Sequence, residues 1–234
     1  MTRSAPCRGG IIAAGDGQRL RASGFAMPKP LVPVGGVPLL GRVVENFRAA
    51  GITSLVMIVN EGGTACRDWA RERFPDLDID VIVKTTASSL ESFQEVSRRL
   101  DGERALVSTV DAWCHPADFT RFVDAALGRP PEASVLAVTP LVADERPLWV
   151  TVDADARVRR IGGEVGTHVT AGMYLLSARA RAASPPALGR LRDFLTWLLE
   201  HGEPFYAETI EHVVDVDRAS DVVLAETLAR EVDR

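Results

Sequence analysis

The sequence predicts an α/β fold built on a largely parallel sheet with helices on both faces. Three observations point there. Four short apolar runs early in the chain are each followed by an amphipathic stretch, the rhythm of strand–helix units laid side by side. After Pro140 that rhythm breaks into a hairpin, further strands and two helices, so the second half reads as α+β stitched onto the same sheet. No internal repeat and no low-complexity linker interrupts the chain, which therefore reads as one domain over residues 1–234.

The elements follow in order. GGIIAA (9–14) reads as a buried strand, and PLLGRVVENFRAA (38–50) as a helix ended by Gly51. SLVMIV (54–59) is a second strand, and residues 65–74 form a helix closed by Pro75. DIDVIV (78–83) is a third strand. Ser88 or Ser89 caps the next helix, which runs through Leu100. RALVSTV (104–110) is a fourth strand, followed by a helix over 116–127, and ASVLAVT (133–139) is a fifth. LWVTVD (148–153) and ARVRRI (156–161) flank a turn and form a hairpin. VTAGMYLLS (169–177) is a strand, 188–201 a helix, EHVVDV (211–216) a strand and 219–230 the last helix.

Composition narrows the function. Hydrophobic residues make up 46% of the 234, normal for a globular protein and too many for a disordered one. A net charge of −5 argues against a general nucleic-acid binder. Cys7, Cys66 and Cys114 are odd in number and widely spaced, so neither a zinc site nor a disulfide framework is expected, which suits a reducing cytoplasm. MTRSAPCRGG has no apolar core of signal-peptide length, and no run approaches the ~20 residues of a membrane span.

The first loop carries the chemistry. GGIIAAGDGQRLRASGFAMPKP places Gly15 and Gly17 after a buried strand, then Arg19, then Lys29 between two prolines. Lysine occurs only here and at Lys84, against 25 arginines, so a compact ammonium at position 29 is a chemical choice. Glycine lets the backbone approach a ligand, and successive N–H groups in such a turn form an anion-binding concavity. With Arg19 and Lys29 beside it, the loop suits a nucleoside triphosphate. It is not a P-loop, since G-x-x-x-x-G-K-[ST] is absent. A dinucleotide-binding Rossmann turn is disfavoured too: Leu20 stands where its third glycine belongs, and four prolines at 28–38 stiffen a long continuation.

GIIAAGDGQRL followed by PKPLVPVGGVPLL resembles the signature of the nucleotidyltransferases that make nucleotide-sugars, the sugar-1-phosphate nucleotidylyltransferases and related cytidylyltransferases for small phosphorylated alcohols. The resemblance implies a Rossmann-like doubly wound mixed sheet, an α/β/α sandwich with an inserted α+β acceptor-binding region. The nucleotide half would span about 1–140 and the acceptor half about 141–234. The implied reaction is NTP plus a sugar 1-phosphate giving an NDP-sugar and pyrophosphate, with Mg²⁺ as cofactor. By position Arg19 would hold the departing phosphates and Lys29 the charge of the transition state, with Ala13, Ala14, Gly15 and Gly17 along the nucleotide.

Asp111 directly follows the fourth strand, where the family carries its first metal aspartate, although Val110 replaces the usual preceding glycine. HVVDVDRASD resembles the family's final acidic motif; Asp215 and Asp217 alternate and share one face of a strand, either or both completing the metal site, with helix capping as the alternative for Asp217. Ser88 and Ser89 lie where the family reads the base, and Lys84 either meets a phosphate or stays solvated. On the acceptor side, RRIGGEVG lacks the E-K-P lysine, for which Arg159 or Arg160 is the available substitute; TAGMY carries Thr170 in place of an asparagine, with Gly172 beyond it. Glu164 is the candidate to read a sugar hydroxyl, and His168 an ordinary loop histidine. The altered acceptor half leaves three readings: the sugar-phosphate enzyme, a cytidylyltransferase for a small phosphorylated alcohol, or a silent nucleotide-sugar sensor. The expected partners are an NTP and a phosphorylated small acceptor, without nucleic acid or membrane, and the oligomeric state stays open.

Overall fold

A computed structural model describes residues 8–232; Cys7 and the rest of the first seven residues lie outside the described residues. The elements are β1 (Gly9–Ala13), α1 (Gln18–Ala22), β2 (Pro33–Val34), β3 (Val37–Pro38), α2 (Leu39–Ala49), β4 (Ser54–Val59), α3 (Thr64–Arg73), β5 (Asp78–Val83) and α4 (Ser89–Ser97). There follow β6 (Arg104–Thr109), β7 (Ala112–Cys114), α5 (Pro116–Gly128), β8 (Ser134–Thr139), β9 (Trp149–Val152), β10 (Val158–Ile161) and β11 (His168–Ser177). The chain ends with α6 (Ala178–Ala182), α7 (Leu191–Glu200), β12 (Phe205–Thr209), β13 (Val213–Asp215) and α8 (Ala219–Val232).

The architecture is the doubly wound mixed sheet that the resemblance implies, with the helices on both faces that the strand–helix rhythm predicts. β5, β4, β1 and β6 lie side by side and parallel. β11 then pairs antiparallel with β6 and with β8, and β12 runs parallel to β8 at the far edge. One apolar layer packs α2, α3 and α5 against the sheet through Phe47, Phe74 and Phe119; the opposite layer packs α4 and α7 through Phe93 and Phe194. Burial on both faces explains why the central strands read as continuous apolar runs rather than alternating ones. A third, smaller cluster joins Leu20, Val32 and Leu39 of the first loop to Trp113, Val214 and Val222, so the loop is pinned down by a core of its own.

Two features position the site. β11 is longer than β6, and its register shifts between Thr170 and Tyr174. Its carboxyl-terminal half pairs with β6, while His168 and Val169 pair with β9, which extends the sheet beyond the end of β6. Gly172 sits at that break with φ +71°; a Cβ there would meet Thr109 Oγ1 at 2.6 Å and the Ala112 Cβ at 2.8 Å. The second feature is a short ribbon of β7 and β13, in which Asp215 lies opposite Ala112. It brings the end of the chain against the residue that follows β6.

The structure departs from the element reading in several places, among them the short elements β2, β3, β7 and α6, which the sequence reading lacks. The first loop is not irregular throughout: it contains α1 and a single 3₁₀ turn at Lys29–Leu31, so a helix does begin directly after Gly17, though it is only five residues long. The strand expected over 211–216 shrinks to three residues and leaves the main sheet for β7. β12 was not expected at all. His168 opens β11 instead of lying in a loop.

Ser88 caps α4, its hydroxyl accepting from the Glu91 N–H at 3.1 Å, while Glu91 reaches back to the Ala87 N–H. Ser88→Ala is expected to lower unfolding free energy by about 1 kcal/mol, read from denaturant unfolding; an unchanged midpoint would show that the cap contributes nothing.

Candidate active site

The loop after β1, the end of β6 and the segment after β13 meet at one point. Lys29 Nζ donates to Asp111 Oδ2 at 2.6 Å and to Asp217 Oδ1 at 2.5 Å, and Arg19 pairs with Asp217 Oδ2 at 2.9 Å. Residues separated by 82 and 188 positions are thus joined through a single ammonium. Burial alone would lower the Lys29 pKa, but the charges of Asp111, Asp215 and Asp217 outweigh it and raise the pKa, so the side chain stays a cation. Asp111 is desolvated too, yet the Lys29 charge and hydrogen bond hold its carboxyl below the ordinary value. Asp215 has the opposite fate. It keeps an exposed edge, but desolvation among protein atoms and then the Asp111 charge push its carboxyl well above the usual range.

One oxygen from each of Asp111, Asp215 and Asp217 lies within 4.8 Å of the others. An all-carboxylate donor set of this kind fits a hard divalent cation such as Mg²⁺. The helix-capping alternative for Asp217 fails, because its carboxylate is committed to Lys29 and Arg19; Asp221 instead accepts from the Asp217 and Arg218 N–H groups.

Asp111 stands where two cavities adjoin. The larger, about 600 Å³, is lined by Ala14, Gly15, Gly17, Arg19, Lys29, Ser88 and Ser89. The smaller, about 210 Å³, lies under β11 and is lined by Thr170, Gly172 and Asp215. Asp111 and Arg192 belong to both. Ala13 faces a separate hollow behind the glycine loop, beside Asn60 and Cys66. The Ser89 hydroxyl accepts from the Leu191 N–H at 3.0 Å, so both serines have structural bonds while still edging the cavity.

Several acceptor-side residues fall elsewhere. Glu164 is exposed and lines neither lobe. Arg159 pairs with Asp153, and Arg160 donates to the Val165 carbonyl; neither lines a lobe, so neither replaces the missing lysine. Lys84 is held by Glu91 and Glu95 of α4 and lines neither lobe. The cations that do reach the smaller lobe are Arg190 and Arg192, at the start of α7. The sequence carries a signal for them: a helix start favours acidic residues, so arginines there are electrostatically out of place and need another reason.

Residues 9–201 match the MobA-like NTP transferase domain. The chain is similar to the CMP-5′-(3-aminopropyl)phosphonate synthase of Streptomyces rubellomurinus, 32% identical over 80% of this chain and 31% of that protein. It is also similar to the bifunctional IPC transferase and DIPP synthase of Rubrobacter xylanophilus, 29% identical over 93% of this chain and 51% of that one. The chain therefore spans about half or less of these relatives' lengths. Among solved structures, the inositol-1-phosphate CTP transferase of T. maritima superposes with a TM-score of 0.82 at 18% identity, covering 98% of this chain and 97% of that one, a likeness of fold. The domain match runs through the glycine loop, Lys29, Asp111 and Arg192, the parts that converge in the cleft. The chain belongs to the MobA-like NTP transferase family.

Proposed function

We propose that the enzyme transfers CMP from CTP to a small phosphate or phosphonate, releasing pyrophosphate, with Mg²⁺ held by Asp111, Asp215 and Asp217. The observation that carries the reading is the junction of two unequal lobes at Asp111, beside Lys29 and Arg192. The larger lobe suits a nucleotide and the smaller one a compact acceptor. Cytosine as the base, and an acceptor other than a sugar 1-phosphate, are favoured by the similarity to an aminopropylphosphonate-activating protein over 80% of the chain.

In the reaction an oxygen of the acceptor attacks the α-phosphorus of CTP. A new P–O bond forms, the bond to the β-phosphate bridging oxygen breaks, and pyrophosphate leaves with that electron pair. When bound, Mg²⁺ neutralises phosphate charge and steadies the phosphate oxygens. The chain's own cations divide the rest of the work by burial. Arg19 is half exposed and its pairing with Asp217 is a partly solvated ion pair, worth at most about 1 kcal/mol, so its guanidinium can exchange that carboxylate for the β- and γ-phosphates. Lys29 is buried to 8% exposure and held by two carboxylates, so it stays in place and meets the charge that develops at the α-phosphate. Arg192, reaching both lobes, is the cation available to the attacking phosphate or phosphonate. Gly15 and Gly17 carry the loop past the nucleotide, and Ser88 and Ser89 edge the base.

The test is pyrophosphate release, with and without Mg²⁺, from each common NTP crossed with alkylphosphonates, phosphorylated alcohols and sugar 1-phosphates. Release that needs Mg²⁺, prefers CTP and excludes sugar 1-phosphates is expected. Preference for another nucleotide with a sugar 1-phosphate would replace this reading, and silence throughout would sink it.

A further inference from the structure

The smaller lobe is unusual in which of its polar groups are free. Three of its hydroxyls are committed. Thr109 Oγ1 donates to the Gly172 carbonyl, and Ser89 Oγ accepts from the Leu191 N–H. Thr139 Oγ1 bonds both the Glu211 carbonyl and the Leu141 N–H. No asparagine or glutamine lines the lobe. A polyhydroxylated ring would find few neutral groups to read it there. The lobe also carries charge: besides Asp111 and Asp215 of the proposed metal site, Asp144 on the loop after β8, and Arg190 and Arg192 at the start of α7.

Those charges do not cancel one another. Among the described residues Asp144 has no ion-pair partner; one carboxylate oxygen accepts from the Arg146 N–H at 3.0 Å, a local turn bond that leaves the other free. Its neighbour Glu145 is taken by Arg218, which ties this loop to the segment carrying Asp217. Arg192 donates to the Arg146 carbonyl, not to a carboxylate. Asp144 is half-buried and feels Asp215, a second acid, across the lobe. A carboxylate that shares a small cavity with guanidiniums that have no carboxylate partner among the described residues, in a lining that also includes apolar Leu148 and Val169, is matched by a dipolar ligand rather than a simple anion.

We propose that the acceptor is a zwitterion, an aminoalkyl phosphonate or phosphate whose anionic end meets Arg192 and whose ammonium is held by Asp144. This rests on the nucleotidyl transfer proposed above and adds the acceptor's second charge. Asp144 acts in specificity: it touches the ammonium and not the reacting phosphorus. The apolar wall fits the intervening methylenes.

The experiment compares matched acceptors that differ only in the amine, 2-aminoethylphosphonate against ethylphosphonate and 3-aminopropylphosphonate against propylphosphonate, with CTP and Mg²⁺. Glucose 1-phosphate is the third acceptor. A hydrogen bond between two charged groups predicts a kcat/KM ratio favouring the amine by on the order of ten- to a hundredfold. In Asp144→Asn, isosteric but neutral, the ratio collapses toward one, while in Arg159→Gln, outside the lobe, it stays as in the wild type. Circular dichroism reports whether the variants fold, and the wild-type ratio tests the idea without them. A wild-type ratio near one, or an unchanged ratio in Asp144→Asn, overturns the zwitterion while leaving transfer intact. Turnover of glucose 1-phosphate with none of the amines does the same. Silence with every acceptor removes the transfer and this inference together.

Discussion

Lys29→Ala is expected to lower kcat for nucleotidyl transfer by about two to three orders of magnitude, the scale set by loss of one preorganised charge donor at a transition state. Nucleotide affinity should change far less, because Arg19 and the glycine loop remain. Lys29→Arg should not rescue. The lysine is buried, its Nζ sits 2.6 and 2.5 Å from two carboxylates, and its Cβ lies against Gly17, so a planar guanidinium has neither the room nor the geometry. Removing the cation also leaves Asp111 and Asp217 facing each other. These carboxylates keep about a quarter of their surface in solvent, so the stability cost falls below the about 3–5 kcal/mol of a fully buried broken pair. Lys29→Met, which keeps the stem and drops the charge, separates packing from chemistry. Steady-state kinetics and equilibrium CTP binding measured together decide the matter: wild-type kcat in Lys29→Ala would remove Lys29 from the reaction, and a parallel collapse of CTP binding would recast it as a nucleotide ligand only.

How much of this was legible beforehand depended on the range of the interaction that makes each element. β4 and β5 match the predicted strands residue for residue: in β4 burial on both faces writes an apolar run into the chain itself, and edge strand β5 is marked by the β-branched residues of DIDVIV. β12 went unread because FYAET is five residues long with no alternation to mark it, and it becomes a strand only by lying along β8, some seventy positions earlier. The β7–β13 ribbon is shorter still, three residues on each side, yet it sets Asp215 opposite Ala112 and so next to Asp111. The three aspartates were therefore recognisable from local pattern, while the device that assembles them was not. The acceptor lobe shows the opposite failure. Thr170 and Gly172 do line it, but Glu164, and Arg159 and Arg160 as substitutes for the missing lysine, do not; the lobe's arginines and Asp144 come from the start of α7 and the loop after β8, brought to β11 where it passes between β6 and β9.

Gly17→Ala is expected to cost about a hundredfold in kcat although it removes no functional group, since displacement of a catalytic side chain by about 1 Å has effects of that size. Gly17 adopts φ +60° and ψ +31°, the left-handed region, where a Cβ costs about 1–2 kcal/mol. That Cβ would also lie 2.7 Å from the Lys29 Cβ, closer than real side chains come. Lys29 cannot swing clear, because its ammonium is fixed at Asp111 and Asp217 and Val32, just after its 3₁₀ turn, is packed with Leu20 and Trp113. The strain must move the loop, and Lys29 and Arg19 with it. Gly15 provides the contrast: nothing lies within 4 Å of the Cβ it would carry, and its edge faces the cleft, so Gly15→Ala should act on KM for the nucleotide. A kcat defect in Gly17→Ala, with a stability loss of about 1–2 kcal/mol and a KM defect in Gly15→Ala, would mean that the two glycines of one motif serve different ends, the first admitting the nucleotide and the second seating the lysine. Equal KM effects in both, with kcat untouched, would return Gly17 to the plainer role of a phosphate-binding turn.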